Sequence, residues 1–174
     1  MSQKEPGPTD RESLGIHETS RRDKLRKIAE MGIDPWGGRF DGRSYIGDIR
    51  ARCGEIKLRT ASGETIELPN LDDPQPVDFR AWLQQQGPGE LSGPQVRAAG
   101  RVVLQRDAGK LRFVDIQDWT GKIQLFIGKQ QVGDEGFALA GNFDLGDLVG
   151  VDGQLRRTKT GELTIFAEKL HFLC

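Results

Sequence analysis

Two segments in the second half of the chain, residues 111–118 and 121–127, alternate apolar and polar side chains with the period of two that is typical of β-strands. Trp119 and Thr120 lie between them and predict a tight hairpin connection. The core face of this hairpin is predicted to carry five aliphatic side chains: Val114, Ile116, Ile123, Leu125 and Ile127.

The opposite face of this hairpin carries aromatic rings and an amide. A two-residue connection pairs Phe113 with Phe126 across the strands, and it likewise pairs Asp115 with Gln124. Phe113 and Gln124 are then diagonal neighbours, within reach of one ligand. An exposed ring beside an exposed amide can stack a nucleobase and hydrogen-bond its edge, so the pattern indicates a nucleic-acid site.

Further periodic segments flank the hairpin in a regular order. A long strand is predicted from Gln95, a short helix over 134–140, a strand over 147–155, and a last strand over 162–167 after a turn at 158–161. The core positions predicted for the long strand are Val96, Ala98, Gly100, Val102 and Leu104. Three strands, a helix and a final hairpin predict a mainly β fold, a five-stranded OB-fold barrel with Greek-key connections spanning residues 95–174.

The first residues of the chain are predicted to form a mobile tail and a helix. Residues 1–17 have no hydrophobic period, which indicates the tail. From an N-cap at Ser20 to a stop at Gly32, apolar side chains recur at helical spacing, which predicts an amphipathic helix. The other face of this helix carries five cations: Arg21, Arg22, Lys24, Arg26 and Lys27. These cations are either merely solvated or contact the phosphates of an RNA.

The rest of residues 18–94 is predicted to be a small α+β extension on the barrel. Period-two alternation on both sides of Ser62-Gly63 predicts a hairpin, and the spacing of Phe79, Trp82 and Leu83 predicts a short helix with Trp82 as a core side chain. The Gly- and Pro-rich pieces at 87–89 and 93–94 predict a linker ahead of the barrel. No residue pattern within 40–94 indicates a function for this segment.

Composition narrows the classes of function. The chain has 174 residues with 25 Lys+Arg against 26 Asp+Glu, and this balance argues against indiscriminate binding to polyanions. Apolar runs stay well below the roughly 20 residues that cross a bilayer, and the start is polar, so we expect a cytoplasmic protein with no membrane partner. Cys53 and Cys174 stand alone, and neither a metal site nor a catalytic constellation is indicated.

Several phrases together resemble the amino-terminal anticodon-binding region of bacterial class II lysyl-tRNA synthetases. The resemblance covers about 19–36 and 96–172. Its phrases are Arg21-Arg22-Asp23-Lys24-Leu25, Met31-Gly32-Ile33-Asp34-Pro35, Ala99-Gly100-Arg101-Val102, Phe113-Val114-Asp115-Ile116-Gln117-Asp118, Lys122-Ile123-Gln124-Leu125-Phe126, Asp144-Leu145-Gly146-Asp147 and Lys159-Thr160-Gly161-Glu162-Leu163. Aspartyl and asparaginyl enzymes share the barrel, but the first and last phrases favour the lysyl branch.

The resemblance implies roles for individual residues. In that family an aromatic of strand 2 stacks an anticodon base, a Gln of strand 3 bonds its edge, and a Glu of the last hairpin adds a contact. These roles fall on Phe113, Gln124 and Glu162. From the first strand, alternation favours Arg101 as a phosphate or base contact, with Arg106 as a weaker candidate for the RNA backbone.

The resemblance also implies properties of a longer enzyme. Lysyl-tRNA synthetases charge lysine-accepting tRNA with ATP and magnesium, and a homodimer is expected. No class II catalytic motif follows the barrel, so we interpret the chain as an excised domain that is not itself an enzyme and holds no cofactor. Two alternatives remain: a free-standing OB-fold protein that binds single strands broadly, and a structural or protein-interaction barrel whose rings the extension covers.

Overall fold

The computed structural model describes residues 10–71 and 77–174. Its elements are α1 (Asp10–Glu30), α2 (Ile46–Ala51), a 3-10 turn (Arg52–Glu55), β1 (Lys57–Thr60), β2 (Thr65–Glu67), α3 (Phe79–Gln86), β3 (Gly89–Ser92), β4 (Gln95–Ala108), β5 (Leu111–Asp118), β6 (Gly121–Gly128), α4 (Lys129–Ala140), β7 (Leu148–Arg157) and β8 (Leu163–Phe172).

Five strands close into a barrel in the order β4-β5-β6-β8-β7, with β4 and β7 paired to complete the ring. All pairs are antiparallel except β6 with β8. Helix α4 connects β6 to β7, as the order of predicted elements requires. This is the OB-fold barrel that the sequence predicts, and closure leaves no unpaired edge strand in it.

The predicted core face of the β5–β6 hairpin is confirmed. The five aliphatic side chains predicted for it are at most 2% exposed, and they pack with side chains of β7, β8 and α4. The α4 helix begins at Lys129, five residues before the predicted start, and its backbone is interrupted at Gly133, where φ is 72°. Phe143, just after α4, is buried in the same cluster and helps to close one end of the barrel.

Helix α1 begins earlier than its sequence pattern predicts. It runs from Asp10, so Ser20 lies inside the helix and is not its N-cap. Residues 10–17, assigned to a mobile tail by the sequence, are therefore helical, whereas residues 1–9 lie outside the described part of the chain. Ile28 is the fully buried contact of α1 with the barrel core.

The extension forms a three-stranded sheet, β2-β1-β3, with α3 beside it. The predicted hairpin and short helix are confirmed, and Trp82 stacks on Phe79 with ring centroids 5.7 Å apart. The two pieces predicted as a linker, 87–89 and 93–94, flank a strand that was not predicted: Gly89–Ser92 is β3, and it pairs with β1. Gly89 permits this close pairing, since an added Cβ would lie 2.8 Å from the Arg59 carbonyl oxygen.

Helix α2, which the sequence did not predict, is tied to the β5–β6 turn by one carboxylate. Asp118 Oδ2 accepts from the Ile46 N–H at 2.9 Å, and Asp118 Oδ1 accepts from the Thr120 N–H, the Thr120 hydroxyl and the Gly121 N–H. Burial acts to raise the pKa of Asp118, but these donors, led by the Ile46 N–H, outweigh it and hold the pKa below its ordinary value.

Replacing this carboxylate should destabilise the domain in a pH-dependent way. We expect Asp118→Asn to lower the free energy of unfolding by about 1–3 kcal/mol near neutral pH, because one amide cannot accept from all four donors. Since the pKa is depressed in the folded state, the difference between variant and wild type should shrink as the pH falls through the folded-state pKa.

Urea unfolding at several pH values measures this effect. Asp48→Asn, which changes an exposed carboxylate in the first turn of α2, is the matched control. A difference between Asp118→Asn and wild type that stays constant as the pH is lowered would contradict the role assigned to Asp118.

Candidate nucleic-acid interface

Three phenylalanine rings form one row across three strands on the outer face of the barrel. The observed register pairs Phe113 with Phe126, as predicted, and the parallel pairing of β6 with β8 adds Phe166. Phe113 and Phe126 meet edge to face with centroids 5.6 Å apart, whereas Phe126 and Phe166 stack at 4.6 Å. The row therefore offers an aromatic surface wider than the two paired rings that the sequence predicts.

An arginine lies at each end of this row. Arg106 of β4 is the cross-strand partner of Phe113, and its guanidinium carbon is 5.9 Å from that ring's centroid. Arg156 of β7 lies over Phe166 at 4.6 Å. Both contacts are cation–π interactions, and they place positive charge beside a surface on which a base could stack.

The next row of side chains holds the predicted amide. Gln124 is the cross-strand partner of Asp115 in β5 and of Thr164 in β8. Thr164 is fully buried, and its hydroxyl donates to Gln124 Oε1 at 3.2 Å. The same hydroxyl lies 3.1 Å from the Glu162 carbonyl, so its one hydrogen is shared between two acceptors. With Oε1 facing Thr164, Nε2 is the end of the Gln124 amide left to a ligand.

The turn between β7 and β8 holds Glu162 in place. The Thr158 N–H donates to the Glu162 carbonyl at 2.9 Å, and the Glu162 N–H donates to the Thr158 hydroxyl at 3.1 Å. Gly161, with φ of 91°, supplies the left-handed backbone that the turn requires. Leu163 is buried and Glu162 is exposed, as alternation predicts. Among the described residues no cation lies within ion-pairing distance of the Glu162 carboxylate.

These side chains line two adjoining hollows. The larger has a volume of about 800 Å³ and its lining includes Phe113, Phe126 and Phe166. The smaller, of about 510 Å³, has a lining that includes Asp115 and Lys122. Both are lined by Arg106, Gln124 and Glu162. The lining of the larger hollow includes no side chain from the described part of 40–94, so the extension does not cover Phe113 or Phe126.

Asp115 lies on the predicted face but is buried. It is only 7% exposed, and its Oδ2 is 3.1 Å from Lys122 Nζ, an ion pair that was not predicted. Alternation assigned Asp115 to the face but could not show that its neighbours cover it. Both members of the pair line the smaller hollow, beside the three polar side chains that it shares with the larger one.

A β-bulge decides which arginine of β4 joins the site. The register of β4 with β5 shifts between Val102 and Leu104, so Leu104, predicted to be a core residue, is 42% exposed on the outer face. The core prediction for Leu104 is therefore wrong. The same shift turns Gln105 inward and places Arg106 outward, opposite Phe113.

Arg101 lies elsewhere on the same barrel face. Its register partner in β5 is Gln117, four residues from Phe113, which corresponds to about 13 Å along the strand. Arg101 Nη1 donates to the Gly146 carbonyl at 2.6 Å, and the side chain lines a separate hollow that also contains the exposed Trp119. The structure thus brings Arg106, and not Arg101, to Phe113, Gln124 and Glu162.

The cations of α1 do not act as one set. Lys24 Nζ lies 2.8 Å from Asp144 Oδ2 and 2.5 Å from Asp147 Oδ2, and the Lys24 side chain is only 16% exposed. Lys24 therefore docks the helix on the barrel. Two of the others form exposed ion pairs within α1, Arg22 with Glu18 and Arg26 with Asp23.

Arg21 and Lys27 are the two remaining cations of this predicted set, and both are exposed. Within residues 10–71 and 77–174, no group of three or more His, Cys, Asp and Glu side chains is arranged to hold a metal ion. Over the same ranges, no helix combines the length and the apolar character that crossing a membrane would require.

Sequence reasoning missed three contributors to the site: Thr164, Phe166 and Arg156. Alternation from Glu162 puts Thr164 and Phe166 on the same outer face, so this signal was present in β8. Their approach to Gln124 and Phe126 depends on the parallel β6–β8 pairing, which joins strands almost 40 residues apart and leaves no local pattern.

Comparison with known proteins agrees with this architecture. The family model of the OB-fold nucleic acid binding domain matches residues 96–173. The lysine–tRNA ligase of Staphylococcus aureus (strain Mu3 / ATCC 700698) is 34% identical over 153 residues, which are 88% of this chain and 26% of that protein. The protein of the same name from strain N315 gives the same values. The chain thus spans about a quarter of the length of these curated relatives.

A solved structure is also similar. The crystal structure of asparaginyl-tRNA synthetase from Pyrococcus horikoshii is 32% identical, covers 47% of this chain and 20% of that chain, and has a TM-score of 0.44. The closed barrel and the sequence matches lead to one assignment: residues 96–173 form a domain of the OB-fold nucleic acid binding family, in a chain that is similar to lysine–tRNA ligases over 153 residues.

Proposed function

We propose that this chain binds the anticodon loop of a lysine-accepting tRNA and recognises a uridine in it by stacking and by hydrogen bonds to the base edge. One observation carries the proposal: Phe113, Gln124 and Glu162 line a single open hollow of about 800 Å³. A ring, an amide and a carboxylate around one hollow are the groups that read an unstacked base in single-stranded RNA.

Each side chain has a distinct part in this proposal. The uracil ring stacks on Phe113, and Gln124 Nε2 donates to a carbonyl oxygen of the base, since Thr164 occupies the other end of the amide. Glu162 accepts the N3–H of uracil. Cytosine has an unprotonated N3 that offers a lone pair at the same place, which the carboxylate repels.

The two arginines of β4 take different parts of the RNA. Arg106 lies beside Phe113 and contacts the phosphate next to the stacked base. Arg101, about 13 Å further along the face, contacts the backbone of a neighbouring nucleotide through its exposed guanidinium. Arg106 is therefore the contact coupled to base recognition, and Arg101 contributes affinity that does not depend on the base.

For the longer protein of which lysine–tRNA ligases are the relatives, we propose the activity that their name gives: attachment of lysine to tRNA. We propose ATP and magnesium as its cofactors, the cytoplasm as its location and a homodimer as its assembly. These proposals rest on the resemblance and on 34% identity over 88% of this chain. Aminoacylation assays on the gene product with and without residues 1–174 would separate the two parts, since this chain should affect the choice of tRNA more than adenylate formation.

A titration with two RNA stem-loops tests the proposal for this chain. The loops are identical except that the central anticodon base is uridine in one and cytidine in the other. We expect tighter binding of the uridine loop. Equal affinity for both loops and for an unstructured strand would favour the free-standing, sequence-tolerant binder, and absence of binding to all three would favour the structural barrel.

The exposed cations of α1 are expected to follow the phosphate backbone. Neutralising Arg21, Arg22, Arg26 and Lys27 to Gln should weaken binding of both loops equally and flatten the dependence of affinity on salt. The physical reason is that residues 95–174 have nearly equal numbers of positive and negative side chains and little charge surplus for a polyanion. Lys24 stays unchanged, because it docks the helix.

The measurement is the affinity at several salt concentrations. The matched control is Arg59→Gln, which removes an exposed cation of β1 outside the two hollows. If the four-residue variant keeps the wild-type salt slope, the exposed cations of α1 are merely solvated. The helix then only packs on the barrel, and the barrel alone binds RNA.

A further inference from the structure

The extension packs against the turn that carries Glu162. A Cβ built on Gly161 would lie 3.3 Å from Leu71 Cδ1 and 3.3 Å from Phe79 Cβ, so these two side chains back the turn directly. Phe79 is 3% exposed and belongs to the extension's own core with Leu58 and Leu91. The turn that presents Glu162 therefore rests on a folded unit and does not project freely into solvent.

Polar contacts fix the extension to β7 as well. The Leu155 N–H donates to the Pro94 carbonyl at 2.9 Å, and Gln154 Nε2 donates to the Ser92 hydroxyl at 3.1 Å. Gly93 allows this approach, since an added Cβ would lie 2.1 Å from the Leu155 carbonyl oxygen. The end of β3 is thus held against the strand that leads into the turn.

Between the extension and this turn lies a third hollow, of about 560 Å³, with an excess of positive charge. Four cations line it, one from α3 and three from β7 and the turn: Arg80, Arg156, Arg157 and Lys159. Glu90 is the one acidic residue of its lining among the described residues, and it lies 3.7 Å from Arg156 with a side chain 76% exposed.

The cations differ in how far they are already engaged. Arg157 Nη1 donates to the Gly161 carbonyl at 2.7 Å, and this bond supports the turn. Arg156 lies over Phe166, yet its Nε atom is buried without a hydrogen-bond partner among the described residues. For Arg80 and Lys159, both exposed, no ion pair is formed with any described residue. An anion entering the hollow would meet donors that the protein does not use itself.

This hollow is continuous with the base site. Thr158, Lys159 and Phe166 line both it and the larger hollow of the ring row. Two of these residues belong to the turn, and the third is the last ring of the row. An RNA strand whose base stacks on the rings can therefore carry its adjoining phosphates past Lys159 into the cationic hollow. An acidic peptide would match the charge of this hollow but has no bases to stack on the adjoining rings.

We propose that the extension and the β7–β8 turn together form a phosphate-binding wall of the RNA interface, with Arg80 and Lys159 as its contacts. This assigns a function to residues 57–71 and 77–92: they hold the turn from behind, and they extend the interface beyond the barrel. The inference rests on the proposed function, since it concerns the RNA strand that the barrel binds. Base choice belongs to Gln124 and Glu162, whereas this wall adds affinity that does not depend on sequence.

The test is the salt dependence of binding to the uridine and cytidine stem-loops by Arg80→Gln, Lys159→Gln and the double variant. Each lost phosphate contact on a single strand should lower the slope of log affinity against log salt by about 0.7, so we expect a change of roughly 1.4 for the double variant. Affinity should fall by a similar factor for both loops. The control is Arg59→Gln, which removes an exposed cation of β1 outside the hollow and should leave the slope unchanged.

A double variant that folds as wild type by circular dichroism and keeps the wild-type slope overturns this inference. If Phe113→Ala still weakens binding in the same experiment, the proposed function stands without the phosphate wall. If neither change affects binding, the proposed function fails as well. A loss confined to the uridine loop would also overturn the inference, because it would make Lys159 or Arg80 a contact of the base and not of the phosphate.

Discussion

Replacing Phe113 with alanine should weaken binding of the uridine stem-loop by roughly 1–3 kcal/mol, the usual effect of removing one aromatic ring from a base stack. This corresponds to about 5- to 150-fold in the dissociation constant. The ring lies on the outer face of the barrel and lines the hollow, in edge contact with Phe126 and beside Arg106. Phe126 is the adjoining ring, but its face already stacks on Phe166.

The domain should stay folded in this variant. Phe113 is half-buried and outside the barrel core, so the main cost is its contact with Phe126, about 1 kcal/mol. Circular dichroism and a binding titration on the same sample measure both quantities. Trp36→Ala is the matched control, because this ring is 77% exposed and lines neither this hollow nor the one that contains Arg101. An unfolded Phe113→Ala variant, or equal losses from both substitutions, would contradict the assignment.

The second large effect should be a loss of selectivity. Gln124→Ala and Glu162→Ala each remove one hydrogen bond to the base edge, so the preference for uridine over cytidine should fall by roughly 1–3 kcal/mol at that position. Gln124 lies on β6 and Glu162 in the β7–β8 turn, and both line the same hollow, so each single variant is compared with the wild type separately. The readout is the ratio of the two affinities, measured by parallel titrations.

A third variant separates the position of the amide from its chemistry. Thr164→Val keeps the shape of a buried side chain but removes the hydroxyl that bonds Gln124 Oε1. We expect an intermediate loss of selectivity, because the amide remains but is free to turn. Arg101→Ala is the control, since its proposed backbone contact does not depend on the base and should lower both affinities alike. Equal losses on both loops from Gln124→Ala and Glu162→Ala would reject these residues as readers of the base.

Local patterns predicted much of this site because it is built on one tight hairpin. Strict alternation and a two-residue turn determine the register of β5 with β6, and so the positions of Phe113 and Gln124. The role of Glu162 came from the resemblance, and alternation with the buried Leu163 next to it agrees with an outward-facing Glu162. In each case the information lies within a few residues, where covalent geometry and side-chain periodicity decide the structure.

The features that sequence reasoning missed depend on contacts between distant segments. The bulge in β4 changes which face Leu104 and Arg106 occupy, and a run of alternating residues does not show where one extra residue interrupts the pairing. The β3 strand reads as a linker because Gly and Pro surround it, yet pairing with β1 makes it a strand. In the sequence, Lys24 is one of five cations on a polar helix face. Its ion pairs with Asp144 and Asp147, about 120 residues away, have no local signal.

The early start of α1 has a different cause. Residues 10–19 lack the regular apolar spacing that identifies a helix from sequence, yet α1 runs from Asp10. Periodicity alone does not detect such a segment.

Side-chain NMR during a titration with the uridine stem-loop tests the central claim most directly. The account predicts that the Phe113 and Phe126 ring signals and the Gln124 Nε2 amide signal shift first and saturate together, since these groups line one hollow. The Trp36 indole signal, which reports on an exposed ring outside these hollows, should change little by comparison. Saturating shifts at Trp36 with unchanged signals from Phe113, Phe126 and Gln124 would place the RNA elsewhere and contradict the account.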